Sequence, residues 1–194
     1  MGFDFKQLKN RQLASERLLL QPPDPRLVQP ITAYFQRNRD FLSPWSPTMR
    51  PIFYTEAFHQ EKIRQELIQM QEKRLVKFWL FKLADSELSR PIGHVSFSNL
   101  VWGAFRNCFL GYSLDETETS QGYATEAIAA SIRFVFGELG LHRIEANIMP
   151  RNKPSIRVAE KLGFEYEGRS PKYLKINGVW EDHLHYVVRN KEQE

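Results

Sequence analysis

A single cysteine, Cys108, stands among the 194 residues, so the chain cannot close an internal disulfide and nothing in it points to an oxidising compartment. Long apolar runs are missing. The N-terminal stretch MGFDFKQLKNRQLASERLLLQ has no hydrophobic segment of signal-peptide length, and no later segment approaches a membrane span. A cytoplasmic protein without a membrane partner is therefore expected. Repeats, low-complexity tracts and Gly/Ser linkers are also lacking, and the length suits one domain over 1–194 better than two. Neither GxxxxGK[ST] nor GxGxxG occurs, which leaves nucleoside-triphosphate and dinucleotide binding without support. No HxxxH pattern on a helix and no Cys/His cluster suggests a metal.

What is there is an ordinary globular composition, 42% hydrophobic and 26% charged, with enough apolar material for a core. The net charge is +4, and its distribution says more than its size. Between His142 and Lys175, eight Lys or Arg stand against four Glu, a surplus equal to that of the whole chain. This fits an anionic ligand near the C-terminal third or a solvated basic face.

The hydrophobic period changes along the chain. SERLLLQ reads as a strand stopped by Pro22 and Pro23, and Asp24-Pro25 opens a helix bearing Leu27, Val28, Ile31, Tyr34 and Phe35. Pro44 and Pro47 end helical pattern around NRDFLSPWSP. Thr55 caps a second helix reaching about Arg74, with Phe58, Ile63, Leu67 and Met70 on one side. VKFWLFKL, PIGHVSFSN and NCFLGYSL then alternate as strands, the last placing Cys108, Leu110, Tyr112 and Leu114 on one face. A long helix from about Gly122 to Leu139 stops at Gly140. HRIEANIM is a strand with Ile144, Ala146 and Ile148 on one side and Glu145 and Asn147 on the other. A short helix opens at Asn152 and Pro154 and closes at Gly163. FEYEG begins a strand, and YLKINGVWEDHLHYVV folds as a hairpin on Asn177-Gly178. The order β, α, α, β, β, β, α, β, α, β, β predicts an α+β domain with a largely antiparallel sheet.

Two stretches could carry chemistry. In LDETETSQGYATEA a strand runs into a helix through a loop holding Asp115, Glu116 and Glu118, with Glu126 just beyond. A helix start gathers unpaired N–H groups and about half a positive charge, and small residues let a pyrophosphate approach them. Gly122 and Ala124 are small, and Thr119, Ser120 and Thr125 offer hydroxyls; Ser120 could equally be a plain helix cap. The second stretch, IEANIMPRNKPSIRVAEKLGFEYEG, sets Asn152 and Ser155 at a helix start, where they could bind a ligand amide or simply cap.

Together, GYATEA after a strand and N-x-x-S followed by EKLGFEYEG resemble the GNAT superfamily of acetyl-CoA-dependent N-acetyltransferases. NRDFLSPW, GYSLD and YLKINGVWEDH are similar to its ribosomal-protein-alanine acetyltransferase branch, in matching order from about Glu16 to Val188. The resemblance implies a twisted sheet, flanked by helices and splayed between strands at 107–114 and 143–149, with acetyl-CoA as co-substrate and no metal. It implies that Thr119, Ser120, Gln121, Gly122, Tyr123, Ala124 and Thr125 form the pyrophosphate loop, where Thr119 replaces the usual Gln or Arg and Ser120 a frequent glycine. It implies that main-chain groups of Tyr112 and Leu114, with Asn147 and Asn152, hold the pantetheine, and that Ser155 protonates the departing thiolate. Because such contacts use the main chain, Asp115, Glu116 and Glu118 are expected to point to solvent. Trp45, between two prolines, could wall the acceptor site.

The reaction needs a neutral amine, and an α-amino group with a pKa near about 8 is partly neutral at pH 7. Residue type leaves the base open among Glu145, His94, Asp182, His183, His185 and a water. Cys108, mid-strand on an apolar face, is not expected to be a nucleophile. The expected acceptor is a protein N-terminal amine of the ribosomal-protein type; a small amine, a non-catalytic CoA-binding module and a basic RNA- or ribosome-binding protein are the rivals. No RNA-binding signature is present, so direct nucleic-acid contact is not expected, and the chain leaves monomer and homodimer equally open.

Overall fold

A computed structural model describes residues 3–193; Met1, Gly2 and Glu194 of the expected 1–194 domain lie outside the described residues. The chain opens with β1 (Leu13–Ala14) and β2 (Leu18–Gln21), continues through α1 (Val28–Arg37), α2 (Arg39–Leu42) and α3 (Glu56–Gln71), and then lays down β3 (Leu75–Lys82), β4 (Gly93–Val101) and β5 (Asn107–Leu114). After α4 (Tyr123–Gly137) come β6 (Arg143–Ile148), α5 (Lys153–Lys161), β7 (Glu165–Ile176) and β8 (Val179–Arg189). Among the described residues eight strands form one sheet in the order β1-β2-β3-β4-β5-β6-β8-β7, and only β5 and β6 pair in parallel.

Asp24 accepts from the Arg26 N–H as expected, but residues 25–27 form a 3-10 turn before α1 begins. The strand that FEYEG begins runs on through YLKI as β7, which leaves two strands after α5 as the element order expects. A register shift between Ser170 and Leu174 bends β7, and Lys172 turns at φ 49°. The hairpin turn is as read, with Asn177 at φ 43° and Gly178 at φ 84°, the positive pair that a type I′ turn demands.

Helices cover the two faces of the sheet unequally. α4 sets Ala127, Ile128, Phe134 and Val135 against Phe78, Leu80, Val95 and Phe97 in the main core. On the opposite face α1 and α3 close over Trp79 and Phe81. Here the buried side of α3 is partly polar. It holds His59 and Glu66 beside Ile63 and Met70, whereas Phe58 and Leu67 are only half-buried. The reason lies across on β3, where the buried Lys77 Nζ meets Glu66 Oε1 at 2.7 Å. Burial holds the lysine pKa below its ordinary range.

Glu66→Gln should cost about 3–5 kcal/mol in denaturant unfolding, because it strands the Lys77 charge in the core. Replacing both partners with apolar residues of similar volume should recover most of that loss.

Candidate active site

The sheet opens where its one parallel pairing ends. β5 and β6 pair from Asn107↔Arg143 to Leu110↔Ala146, and beyond that point residues 111–114 and 147–148 diverge without partners across the gap. Which groups line the gap follows from the ladder. The Asp115 N–H donates to the Ile92 carbonyl at 2.7 Å on the β4 side, while on the β6 side the Arg143 N–H donates to Arg106 at 3.0 Å. Main-chain groups alternate sides along a strand. Tyr112 and Leu114 therefore turn their N–H and C=O groups into the gap, free for an extended ligand.

The loop after β5 delivers a helix end to the same place. α4 begins behind Gly122 at φ 85°, and no side chain caps it. Ser120, the alternative cap, adopts φ 62° and leaves the first N–H groups unclaimed. Two left-handed residues around one position make the main chain concave, the shape that cradles an anion. Cations stand nearby. The Arg17 guanidinium lies 4.5 Å and the Lys82 ammonium 5.5 Å from the Tyr123 ring centroid, and Arg17 also donates to the Gln121 carbonyl at 3.1 Å.

The acidic residues do not all point to solvent. Only Glu116 is exposed; Asp115 is 2% and Glu118 7% exposed. Buried carboxylates need partners, and both have them. Arg37 Nε donates to Asp115 at 2.5 Å, and Lys82 meets Glu118 at 2.8 Å. Asn38 Oδ1 accepts from the Glu116 N–H at 2.9 Å, and the Tyr34 and Ser113 hydroxyls meet at 2.8 Å. Glu126 is likewise taken up, by Ser15 and Arg17 at 2.7 Å each. The loop's negative charge is thus neutralised underneath, and α1 holds the loop from below. Arg37 carries no signal of this in the sequence, where Tyr34 reads only as part of an amphipathic period and Asn38 only as the start of NRDFLSPW.

α5 supplies the other wall. Asn152 Oδ1 accepts from the Ser155 N–H at 3.2 Å, which caps the helix and leaves its Nδ2 to donate elsewhere. Ser155 faces the same cleft as the Tyr112 phenol, whose pKa burial has raised, so two protonated hydroxyls line one wall. Tyr112, Leu114, Thr119, Ser120, Ala124, Asn152 and Ser155 line one cleft of about 340 Å³, joined by Trp45, Phe41 and Arg157. Trp45 is held by the Arg151 guanidinium, 4.9 Å from its ring centroid. Gln121, Gly122, Tyr123 and Thr125 follow in the loop and first turn rather than on the lining.

The remaining candidates fall outside this cleft. Asn147 and Glu145 lie on the other face of β6, both against His185 Nδ1, at 2.6 and 2.9 Å. His94 is packed by Phe35 and Trp79 behind the sheet with its Nδ1 unpartnered, and burial drives its pKa well down. Asp182 is paired with Arg169 and accepts from the Lys172 N–H, and His183 is buried with Nδ1 against the Glu181 carbonyl. Cys108 is fully buried, its thiol pushed up to about 12 by desolvation. No group of metal-binding side chains occurs among the described residues, and no helix among them is long and apolar enough to cross a membrane.

The sequence and the fold are matched in known proteins. The acetyltransferase (GNAT) domain family matches residues 17–165. The chain belongs to the GNAT acetyltransferases. It is 39% identical to the probable N-acetyltransferase YjcK of Bacillus subtilis, over 81% of this chain and 85% of that protein. It is 35% identical to the ribosomal protein uS5-alanine N-acetyltransferase of Escherichia coli, over 89% of this chain and 88% of that enzyme. The structure of RimJ from Mycobacterium smegmatis, in complex with CoA-disulfide, superposes with a TM-score of 0.87 at 25% identity, covering 94% of this chain and 88% of that one. As a GNAT enzyme the chain is an acyltransferase related to ribosomal-protein N-acetyltransferases, and its mixed, mostly antiparallel sheet is the family's fold.

Two outcomes test the loop. Gly122→Val should weaken acetyl-CoA binding at least about tenfold by calorimetry, because a β-branched residue resists φ 85° and its Cβ comes 3.4 Å from Arg17 Nη2. Unchanged affinity would remove the loop from the binding site. For Asp115, burial works to raise the pKa, but hydrogen bonds from Arg37 and Thr117 outweigh it and hold the carboxyl at about 2. A depressed carboxyl contributes stability above its unfolded pKa and loses it as pH falls through the folded one. Acid titration should therefore remove about 2 kcal/mol between roughly pH 4 and pH 2, and Asp115→Asn should lose that stability at neutral pH and flatten the profile.

Proposed function

We propose that the cleft binds acetyl-CoA and passes the acetyl group directly to a protein N-terminal α-amino group, within the single domain over 1–194. The observation that carries this is the meeting of three features in one cleft: the parted strands with unpaired main-chain groups, the uncapped start of α4, and the Ser155–Tyr112 hydroxyl pair. The pyrophosphate lies against the N–H groups of Gly122 to Thr125, with Arg17 and Lys82 adding positive potential. The pantetheine arm extends along Tyr112 and Leu114 and takes a hydrogen bond from Asn152. The thioester then reaches the point where β5 and β6 separate.

In the reaction the amine nitrogen attacks the thioester carbonyl, and the oxyanion is met by a main-chain N–H of the parted strands. The C–S bond breaks as Ser155, beside the Tyr112 phenol, gives a proton to the CoA sulfur. Cys108 is fully buried and its thiol is pushed up to about 12, which makes it a poor and inaccessible nucleophile and supports direct transfer over an enzyme-bound acetyl. The likeness to the Escherichia coli uS5-alanine enzyme supports a protein N-terminus, a ribosomal protein's among them, as acceptor and the cytoplasm as location.

Release of CoA thiol with peptides beginning Ala, Ser or Met, and little with spermidine, is the expected result of an acceptor screen. Turnover with spermidine alone would move the acceptor to the small amines, and binding without any turnover would make the chain a CoA-binding module. Ser155→Ala should lower kcat by about 10- to 100-fold while acetyl-CoA affinity changes little. Equal turnover would reduce Ser155 to a helix residue.

A further inference from the structure

Three of the eight basic residues between His142 and Lys175 are paired with acids. Arg143 is taken by Glu145 and Glu167, Arg151 by Glu181 and Arg169 by Asp182. Lys153, Arg157, Lys161, Lys172 and Lys175 are left, all exposed and without an ion pair among the described residues. Of these only Arg157 lines the cleft, and it is the one charged side chain in that lining. α5 brings it there with Pro154, Ser155 and Val158, and it shares the lining with Thr119, Ser120 and Ala124 of the loop and first turn of α4. Glu160, three residues further along α5 and near enough by spacing, does not pair with it.

The other cations near the loop are in a different state. Arg17 meets Glu126 at 2.6 Å and Lys82 meets Glu118 at 2.8 Å, so a carboxylate offsets most of each charge. Residues 119–125 contribute no charged side chain of their own. The start of α4 offers about half a positive charge through its main chain. That is little against a nucleotide thioester, whose ribose 3′-phosphate alone adds about 1.5 to 2 negative charges at pH 7, as a phosphate monoester does. A free guanidinium in the same cleft meets this need. Its planar fork presents two N–H donors to two phosphate oxygens, and a pair within a cleft is less screened than one on an open surface.

We propose that Arg157 grips a phosphate at the nucleotide end of acetyl-CoA and thereby selects a CoA thioester over an acetyl group carried on pantetheine alone. This rests on the acetyl-CoA reading above. The pyrophosphate and the ribose 3′-phosphate present the same chemistry to the guanidinium, and acetyl-CoA and its 3′-dephospho form separate them.

The test is calorimetric titration of the full chain with both thioesters, at about 0.05 M and about 0.5 M salt. Because Arg157 is exposed, its substitution leaves the core packing intact. Arg157→Gln should weaken acetyl-CoA binding about tenfold at the lower salt, and the loss should shrink to about threefold or less at the higher, since screening weakens an ion pair. Arg157→Lys keeps the charge without the fork and should lose about threefold. Arg133→Gln, at an exposed position of α4 outside the cleft, removes the same charge and should leave affinity unchanged. If the 3′-phosphate is the partner, the unaltered chain binds acetyl-3′-dephospho-CoA as weakly as Arg157→Gln binds acetyl-CoA, and the substitution adds no further loss. A salt-sensitive tenfold loss with both thioesters assigns the pyrophosphate instead. Unchanged acetyl-CoA affinity in Arg157→Gln, a loss that salt does not reduce, or an equal loss in Arg133→Gln overturns the proposal while leaving acetyl-CoA binding in place. Failure of the unaltered chain to bind either thioester overturns both readings together.

Discussion

The Arg37–Asp115 pair is the constraint on which the active cleft depends. A carboxylate 2% exposed at the end of β5 can exist only with a cation against it, and α1 provides that cation at its last turn. The same turn places Asn38 under the Glu116 N–H, while Tyr34 reaches Ser113, so three points of the strand end and loop are fixed from α1 and its C-terminal cap. With its acidic residues engaged below, the loop can turn its main chain upward at Ser120 and Gly122. The loop's negative charge is the means by which it is anchored.

The division of labour between faces is equally physical. On the side of α4 and α5, the parted strands meet a helix end and a pair of hydroxyls, a setting for a long anionic ligand with a thioester at its tip. On the other side, β6 and β8 carry Glu145, Asn147 and His185, whose hydrogen bonds fix a tautomer.

Much of this was legible in the sequence, for identifiable reasons. Strand alternation placed Glu145 and Asn147 opposite Ile144 and Ala146, and the glycines at 122, 140 and 163 marked helix ends because glycine adopts a positive φ without steric cost. The break of β5 from β6 came from family likeness rather than from any residue pattern, since a parallel pair carries no turn signal. What stayed hidden was pairing over long sequence distance. Arg37 and Asp115 are 78 residues apart, as are Asn38 and Glu116, and neither side announces the other. The expectation that Asp115 and Glu118 face water failed for that reason, as did the reading of α3 as a simple apolar stripe, which could not foresee Lys77 opposite Glu66. The polar use of Tyr112 was missed because an aromatic on a strand reads first as core.

One further consequence follows from the segment around Trp45. Arg151 donates to the Pro44 carbonyl at 2.8 Å and pairs with Glu181, and the Asn177 N–H donates to the Ser46 carbonyl at 2.9 Å. A stretch of the N-terminal half is thereby tied to the β6–α5 turn and to the tip of the last hairpin, forming a bridge over the mouth of the parted strands. A mouth spanned by a bridge admits a thread more readily than a surface. Under the acetyl-transfer reading proposed above, selection by calibre then precedes selection by chemistry: a free chain end or a slender amine enters more readily than an amine rooted in a broad, folded face.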